Sequence, residues 1–242
     1  MVTRIRRLLP AWLLLAAGCA GPHRLSIPPL LPAPRADILW HEPFDALPPD
    51  RWREVEVRRR TEYQLVTLEG RRCLEARSRG GASVLLSPVE FDADTFEWLS
   101  WDWRVDQLVG GEDLRTKGGS DAPARVYVYF DTHGLPWQKR SLDYVWSGAL
   151  PEGTLLESAF SPQSKIIVAE SGGPLGRWRH ERRNIQEDYE RCFGKRMPEV
   201  IAIGVMTDAD NSRGEALAYF DNLRVSRTSD EPAAAAPADG PR

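Results

Sequence analysis

Apolar and polar residues alternate with a period of two through most of the central chain. Leu99, Trp101, Trp103 and Val105 alternate with Ser100, Asp102 and Arg104. Val126, Val128 and Phe130 alternate with Arg125, Tyr127 and Tyr129, and Leu142, Tyr144 and Trp146 alternate with Asp143 and Val145. Successive side chains of an extended chain point to opposite sides, so each run predicts a strand with one face on a core. Strand-like runs at 63–68, 73–77, 83–86, 165–169, 201–206 and 217–225 extend the pattern. About nine or ten strands with no regular helices between them predict an all-β fold, an antiparallel jelly-roll-like β-sandwich. The 19 Gly and 19 Pro supply the turns it needs.

One segment breaks the alternation. Ile185, Tyr189, Cys192 and Phe193 fall at helical spacing on one face. Asn184 is placed to cap the first turn with Glu187 three residues on, and Gly194 suits a left-handed exit. The pattern predicts one short helix packed on the sandwich.

The two ends read differently. Arg4, Arg6 and Arg7 precede an apolar stretch from Leu8 to Ala17, followed by Gly18 and Cys19. A basic start, a short apolar run and small residues make the layout of a secretory signal. The run is about half the roughly twenty residues that a membrane span needs. The Ala16-Ala17-Gly18-Cys19 junction resembles the lipobox of bacterial lipoproteins. That resemblance implies lipid on the Cys19 thiol, a membrane attached through this N-terminal lipid, and a place in the cell envelope. Ala20 points to the periplasmic face of the outer membrane. The expected division is a signal at 1–18, a proline-rich tether at 19–36, a β-sandwich domain at 37–227 and a disordered tail at 228–242.

Charge narrows the partners. The chain carries 32 basic and 35 acidic residues; without Arg4, Arg6 and Arg7 the balance is 29 against 35, or −6. No basic stripe dominates, so nucleic acid is not expected as a partner. Arg58, Arg59 and Arg60 read as a solvated strand edge. With Cys19 lipidated, Cys73 and Cys192 remain, and an oxidising compartment permits a disulfide between them.

Six segments together are similar to the bacterial secreted family DUF3047. They are 61–66 (Thr-Glu-Tyr-Gln-Leu-Val), 101–105 (Trp-Asp-Trp-Arg-Val), 121–128 (Asp-Ala-Pro-Ala-Arg-Val-Tyr-Val), 142–146 (Leu-Asp-Tyr-Val-Trp), 183–189 (Arg-Asn-Ile-Gln-Glu-Asp-Tyr) and 206–211 (Met-Thr-Asp-Ala-Asp-Asn). The resemblance implies a jelly-roll-like β-sandwich and no particular activity. The run 219–225 (Tyr-Phe-Asp-Asn-Leu-Arg-Val) is similar to the last strand of many carbohydrate-binding jelly rolls.

Catalytic motifs are sparse: the chain has no phosphate-binding glycine loop, no Gly-x-Ser-x-Gly elbow and no His-Glu-x-x-His pair. The four histidines, His23, His41, His133 and His180, read as tether, surface or turn residues. The candidate ligand-binding set is Asp121, Arg125, Tyr127, Trp146, Asp208, Asp210 and Asn211, polar residues next to strands that are otherwise strongly apolar. A buried arginine needs a carboxylate, and Asp121 or Asp208 is the expected partner of Arg125. Asp208 and Asp210 alternate at a strand-to-loop junction, an oxygen arrangement that suits a hard cation such as calcium, or a turn hydrogen-bonded to its own backbone.

Three function classes follow. The first is non-catalytic binding of a glycan or another polar envelope ligand. The second is a jelly-roll glycoside hydrolase or polysaccharide lyase using paired carboxylates among Asp102, Asp121, Asp208 and Asp210. The third is a structural lipoprotein contacting other envelope proteins.

Overall fold

The computed structural model describes residues 37–92, 94–132 and 139–228. The expectations for the signal, the tether, Cys19 and nearly all of the tail lie outside these residues, as do His23 and His133. Among the described residues, no helix is long and apolar enough to cross a membrane.

The chain forms a two-sheet β-sandwich. In order come β1 (Ile38–Glu42), β2 (Arg53–Arg58), β3 (Glu62–Leu68), β4 (Arg71–Arg79), β5 (Ala82–Phe91), β6 (Trp98–Gln107) and β7 (Ala122–Phe130). Then follow β8 (Arg140–Ser147), β9 (Leu155–Glu157), β10 (Ser164–Ser171), β11 (Arg179–Asn184), α1 (Ile185–Phe193), β12 (Val200–Asp208) and β13 (Glu215–Ser226). One sheet runs β11-β6-β13-β4-β3, with β1 also pairing β13 where β4 has left it. The other runs β2-β5-β12-β7-β8-β10-β9.

The expected antiparallel sandwich has one parallel pair among its described strands, in the second sheet: β10 lies parallel to β8. Alternation of apolar and polar residues is the same for either strand direction, so it carries no sign of this. A parallel neighbour needs a crossover, and the segment holding β9 supplies it.

The core lies between the sheets, where the period-two runs place it. Trp101, Trp103 and Val105 of β6 face Val126, Val128 and Phe130 of β7 and Leu142, Tyr144 and Trp146 of β8. Trp101 packs on Tyr144 at 5.2 Å between ring centroids, and Trp103 on Trp146 at 5.7 Å. All are fully buried. Burying one such side chain contributes about 1.5–3 kcal/mol.

The strands that escaped the sequence pattern are edges or fragments. β2 and β11 are the outermost strands of their sheets, and charged side chains fill them. Solvated edges of this kind resist pairing with other chains.

The helix forms where its caps predict. Asn184 Oδ1 accepts the Glu187 N–H at 3.0 Å, and Gly194 takes φ 62° with its N–H donating to the Glu190 carbonyl. Ile185 and Tyr189 are buried, with Tyr189 packed on Phe130 at 4.7 Å. Asp188 on the same helix accepts the Tyr144 hydroxyl at 3.0 Å and both arms of Arg183.

The disulfide that the compartment would permit is not formed: Cys73 and Cys192 are both free thiols. The helix lies against β11 and the Tyr144–Phe130 end of the core. Cys73 is out of phase with Leu74 and Ala76, so it points to the outer face of the six-stranded sheet. Burial pushes both thiols up to about 11, so neither is a thiolate at neutral pH.

Candidate functional site

The seven-stranded sheet turns its apolar residues inward and leaves a groove on its outer face. In β7 the residues out of phase with the core are Arg125, Tyr127 and Tyr129; in β8 they include Ser141 and Asp143; in β12 they are Gly204, Met206 and Asp208. The groove encloses about 490 Å³, within the range of ligand sites. Gly204 leaves room for two side chains that line it, Val84 and Tyr129. A Cβ there would stand 2.9 Å from Val84 Cγ1 and 3.6 Å from the Tyr129 ring.

The polar end of the groove is built by β7, β12 and the turn after β12. Arg125 is 4% exposed. Its Nε donates to Asp208 Oδ1 at 2.9 Å, and its Nη2 donates to the Ser120 carbonyl at 2.9 Å. Asp208 Oδ1 also accepts the Ala122 N–H at 3.0 Å. Asp121 accepts the backbone N–H groups of Asn211 and Ser212 at 3.0 and 2.7 Å and the Asn211 side-chain amide at 3.0 Å. That amide also donates to Asp210 at 3.1 Å, and Arg58 stands 4.0 Å from Asp210.

Burial and neighbours set the charges here. Burial pushes Asp208 up to about 6, and with the nearby Asp121 it outweighs Arg125 and the Ala122 N–H. Asp121 is also partly desolvated, yet donors from Ser212 and Asn211 hold it below the usual range. Asp143, wholly buried, is pushed up by desolvation, although the hydroxyls of Ser141 and Ser164 donate to it at 2.7 Å each.

The structure therefore gathers Asp121, Arg125, Tyr127, Asp208, Asp210 and Asn211 in one place, and of the two expected partners Arg125 takes Asp208. Trp146 does not join them. It shares the phase of Leu142 and Tyr144, so it is fully buried on the core side with its indole N–H on the Gly172 carbonyl. Its phase within its own strand already separated it from Arg125.

Several groove residues stood outside the sequence-derived set: Asp143, Ser141, Ser164, Phe160, Val57 and Arg58. Asp143 carried a signal, an acid on the outward phase of an alternating strand, in register with Tyr127. Phe160 and Val57 carried none, because their role comes from the crossover and from the position of β2 at the sheet edge.

Asp121, Asp208 and Asp210 present oxygens that all lie within 4.8 Å of one another, the arrangement expected of a cation site. The donor set fits calcium poorly. Arg125 already supplies the positive charge next to Asp208, and Asp121 is engaged by three N–H groups. Calcium prefers six to eight oxygen ligands, and few oxygens here are uncommitted.

The chain is thus a β-sandwich protein with a polar-ended groove on one outer sheet face. It belongs to the family described as Protein of unknown function (DUF3047), whose model matches residues 50–224. No curated protein matches the sequence. Among solved structures, the chain is similar to the glycoside hydrolase domain of Endo-D from Streptococcus pneumoniae R6. The identity is 12%, the match covers 75% of this chain and 22% of that one, and the TM-score is 0.36. The chain thus spans about a fifth of the length of that structure. It is also similar to TmCBM27, a carbohydrate-binding module that recognises mannan, at 16% identity over 79% of this chain and 98% of that one, TM-score 0.35. A third is the family 11 xylanase from Neocallimastix patriciarum, at 9% identity over 73% and 100%, TM-score 0.34. Similarity at this level leaves function to be argued from the site.

Proposed function

We propose that this protein is a cell-envelope lipoprotein that binds a glycan or another polar envelope ligand, without catalysis, in the outer-face groove. The observation that carries this reading is the groove itself: a 490 Å³ space flanked by aromatic and apolar side chains, with a buried arginine and carboxylates at one end. A site of mostly apolar lining with a few fixed polar groups is what ligand recognition needs.

The carboxylates favour binding over hydrolysis. Glycoside cleavage needs a free acid on one side of the bond and a second carboxylate on the other, roughly 5–9.5 Å apart. Asp102 is on the other sheet, where it takes the Asn222 amide, the His180 ring and Arg71. Asp121 and Asp208 are held on the same side by internal donors.

The test is a glycan-array and calorimetric screen of the whole chain, with Asp210→Ala as the control. Weaker ligand with little change in melting temperature supports the reading. Loss of about 1–3 kcal/mol of stability with no ligand found on any surface assigns the cluster to structure instead. Anchoring is tested separately: Cys19→Ser should release the protein from the membrane, and an intact mass lacking a diacylglyceryl adduct would refute lipidation.

A further inference from the structure

The groove is long as well as deep, and its length follows from topology. Its lining comes from Val57 and Arg58 of β2, Ala82 and Val84 of β5, Met206 and Asp208 of β12, three residues of β7, two of β8 and Ser164 of β10. In sheet order these are six neighbouring strands, so the lining crosses the strands and not along them. Five intervals of about 4.8 Å make a span of roughly 24 Å. An apolar side chain stands out at each end: Val57 is 66% exposed on the β2 side and Phe160 is 58% exposed on the β9–β10 side.

The groups left free along this span define the ligand. Arg125 uses Nε and Nη2 internally, and among the described residues its Nη1 has no acceptor although the side chain is buried and borders the groove. Among the described residues, the Tyr127 hydroxyl has only the Met206 sulfur, at 3.5 Å. Tyr127 and Tyr129 stack on each other at 5.5 Å and 15°. Four carboxylates (Asp121, Asp143, Asp208, Asp210) and two arginines (Arg58, Arg125) surround the site, a balance that repels an anionic chain. A cationic chain needs carboxylate oxygens that are open. Those of Asp121, Asp143 and Asp208 already accept hydrogen bonds, and Asp210 accepts the Asn211 amide with Arg58 4.0 Å away.

We infer that the groove takes an uncharged oligosaccharide lying across the strands, with Arg125 Nη1 donating to an oxygen of a central unit and Val57 and Phe160 flanking its two ends. This rests on the reading of the groove as a glycan site.

The experiment is calorimetry on the full chain with three kinds of hexasaccharide: neutral (cello-, manno- and xylohexaose), anionic (hexagalacturonate) and cationic (the chitosan hexamer). At least one neutral hexamer should bind, and its affinity should exceed that of its disaccharide by about tenfold or more. Phe160→Ala and Val57→Ser, at exposed positions, should weaken the hexamer by about tenfold while leaving the disaccharide and the melting temperature unchanged. Arg125→Lys should weaken both lengths, with circular dichroism reporting its fold; Tyr127→Phe gives a second variant that keeps the Arg125–Asp208 pair. Binding of only the charged hexamers overturns the inference and leaves the glycan reading standing. Equal affinity for dimer and hexamer, or rim variants without effect on a hexamer that binds, also overturns it. Binding of no glycan of any charge overturns both.

Discussion

Both outer faces of this sandwich are rich in charge, yet they are built to opposite ends. On the six-stranded sheet, Arg71 bridges Asp102 and Asp221, with Trp178 stacked on its guanidinium. Asp102 also takes His180 and Asn222, and Arg104 is clamped by Asp106 and Glu69. Each of these cations lies against two carboxylates, Arg104 buried and Arg71 half-buried against Trp178. On the seven-stranded sheet the buried Arg125 has one carboxylate among the described residues, Asp208, and its unclaimed Nη1 borders open volume. A cluster of Asp and Arg in a sequence does not distinguish these cases. What separates a structural network from a site is leftover hydrogen-bonding capacity next to space.

The comparison can be broken most directly at Asp208. Asp208→Ala leaves Arg125 buried without its carboxylate, and the expected loss is about 3–5 kcal/mol. Chemical denaturation measures it; a loss below about 1 kcal/mol would mean that Arg125 reaches water and that this face is no drier than the other.

Next in size is a residue at the seam between the sheets. Glu181 accepts the Trp103 indole N–H at 3.2 Å, and burial pushes it up to about 7 from 4.5, with Glu170 adding to the effect. The folded form therefore holds a proton more tightly than the unfolded form. Stability from this group is full below about pH 4.5 and is lost as pH rises through 7. Glu181→Gln should be near neutral at pH 4 and should gain on the order of 2 kcal/mol over the native chain at pH 8, after allowing for partial exposure. Thermal melts across that window check the sign.

Smaller still is the effect on the crowded face. Asp102→Ala should cost about 1–2 kcal/mol at neutral pH, because Arg71 can turn partly to solvent. Burial raises Asp102, but His180, Asn222 and Arg71 outweigh it and bring it to about 2. Its contribution is complete above pH 3.8 and is lost as pH falls through 2, so native and variant stabilities should converge there. The smallest change is Phe160→Ala, expected within about 0.5 kcal/mol of the native chain at a position 58% exposed.

Much of this was legible in the chain before folding was considered. The period-two runs of β6, β7 and β8 place Trp101, Trp103 and Tyr144 in the core, and Asn184 and Gly194 bracket the helix, because those signals are local. The same local logic separated Trp146 from Arg125, and grouping them set aside the phase of each within its own strand. What was hidden is what depends on pairing. The parallel placement of β10 and the charged edges β2 and β11 follow from which strands become neighbours. Alternation does not encode that.

The crossover that makes β10 parallel to β8 has a consequence for how such a site changes over evolutionary time. The same excursion of chain carries Ser158, Phe160 and Ser161, which form one wall of the groove, whereas the floor is made of paired strands. Lengthening a loop twofold costs only about 0.6 kcal/mol in closure entropy, so insertions there are cheap compared with any change to the sheet. Specificity and foldability are thus carried by separable parts of one molecule: the wall is free to be rewritten while the floor, with its buried arginine, stays as it is.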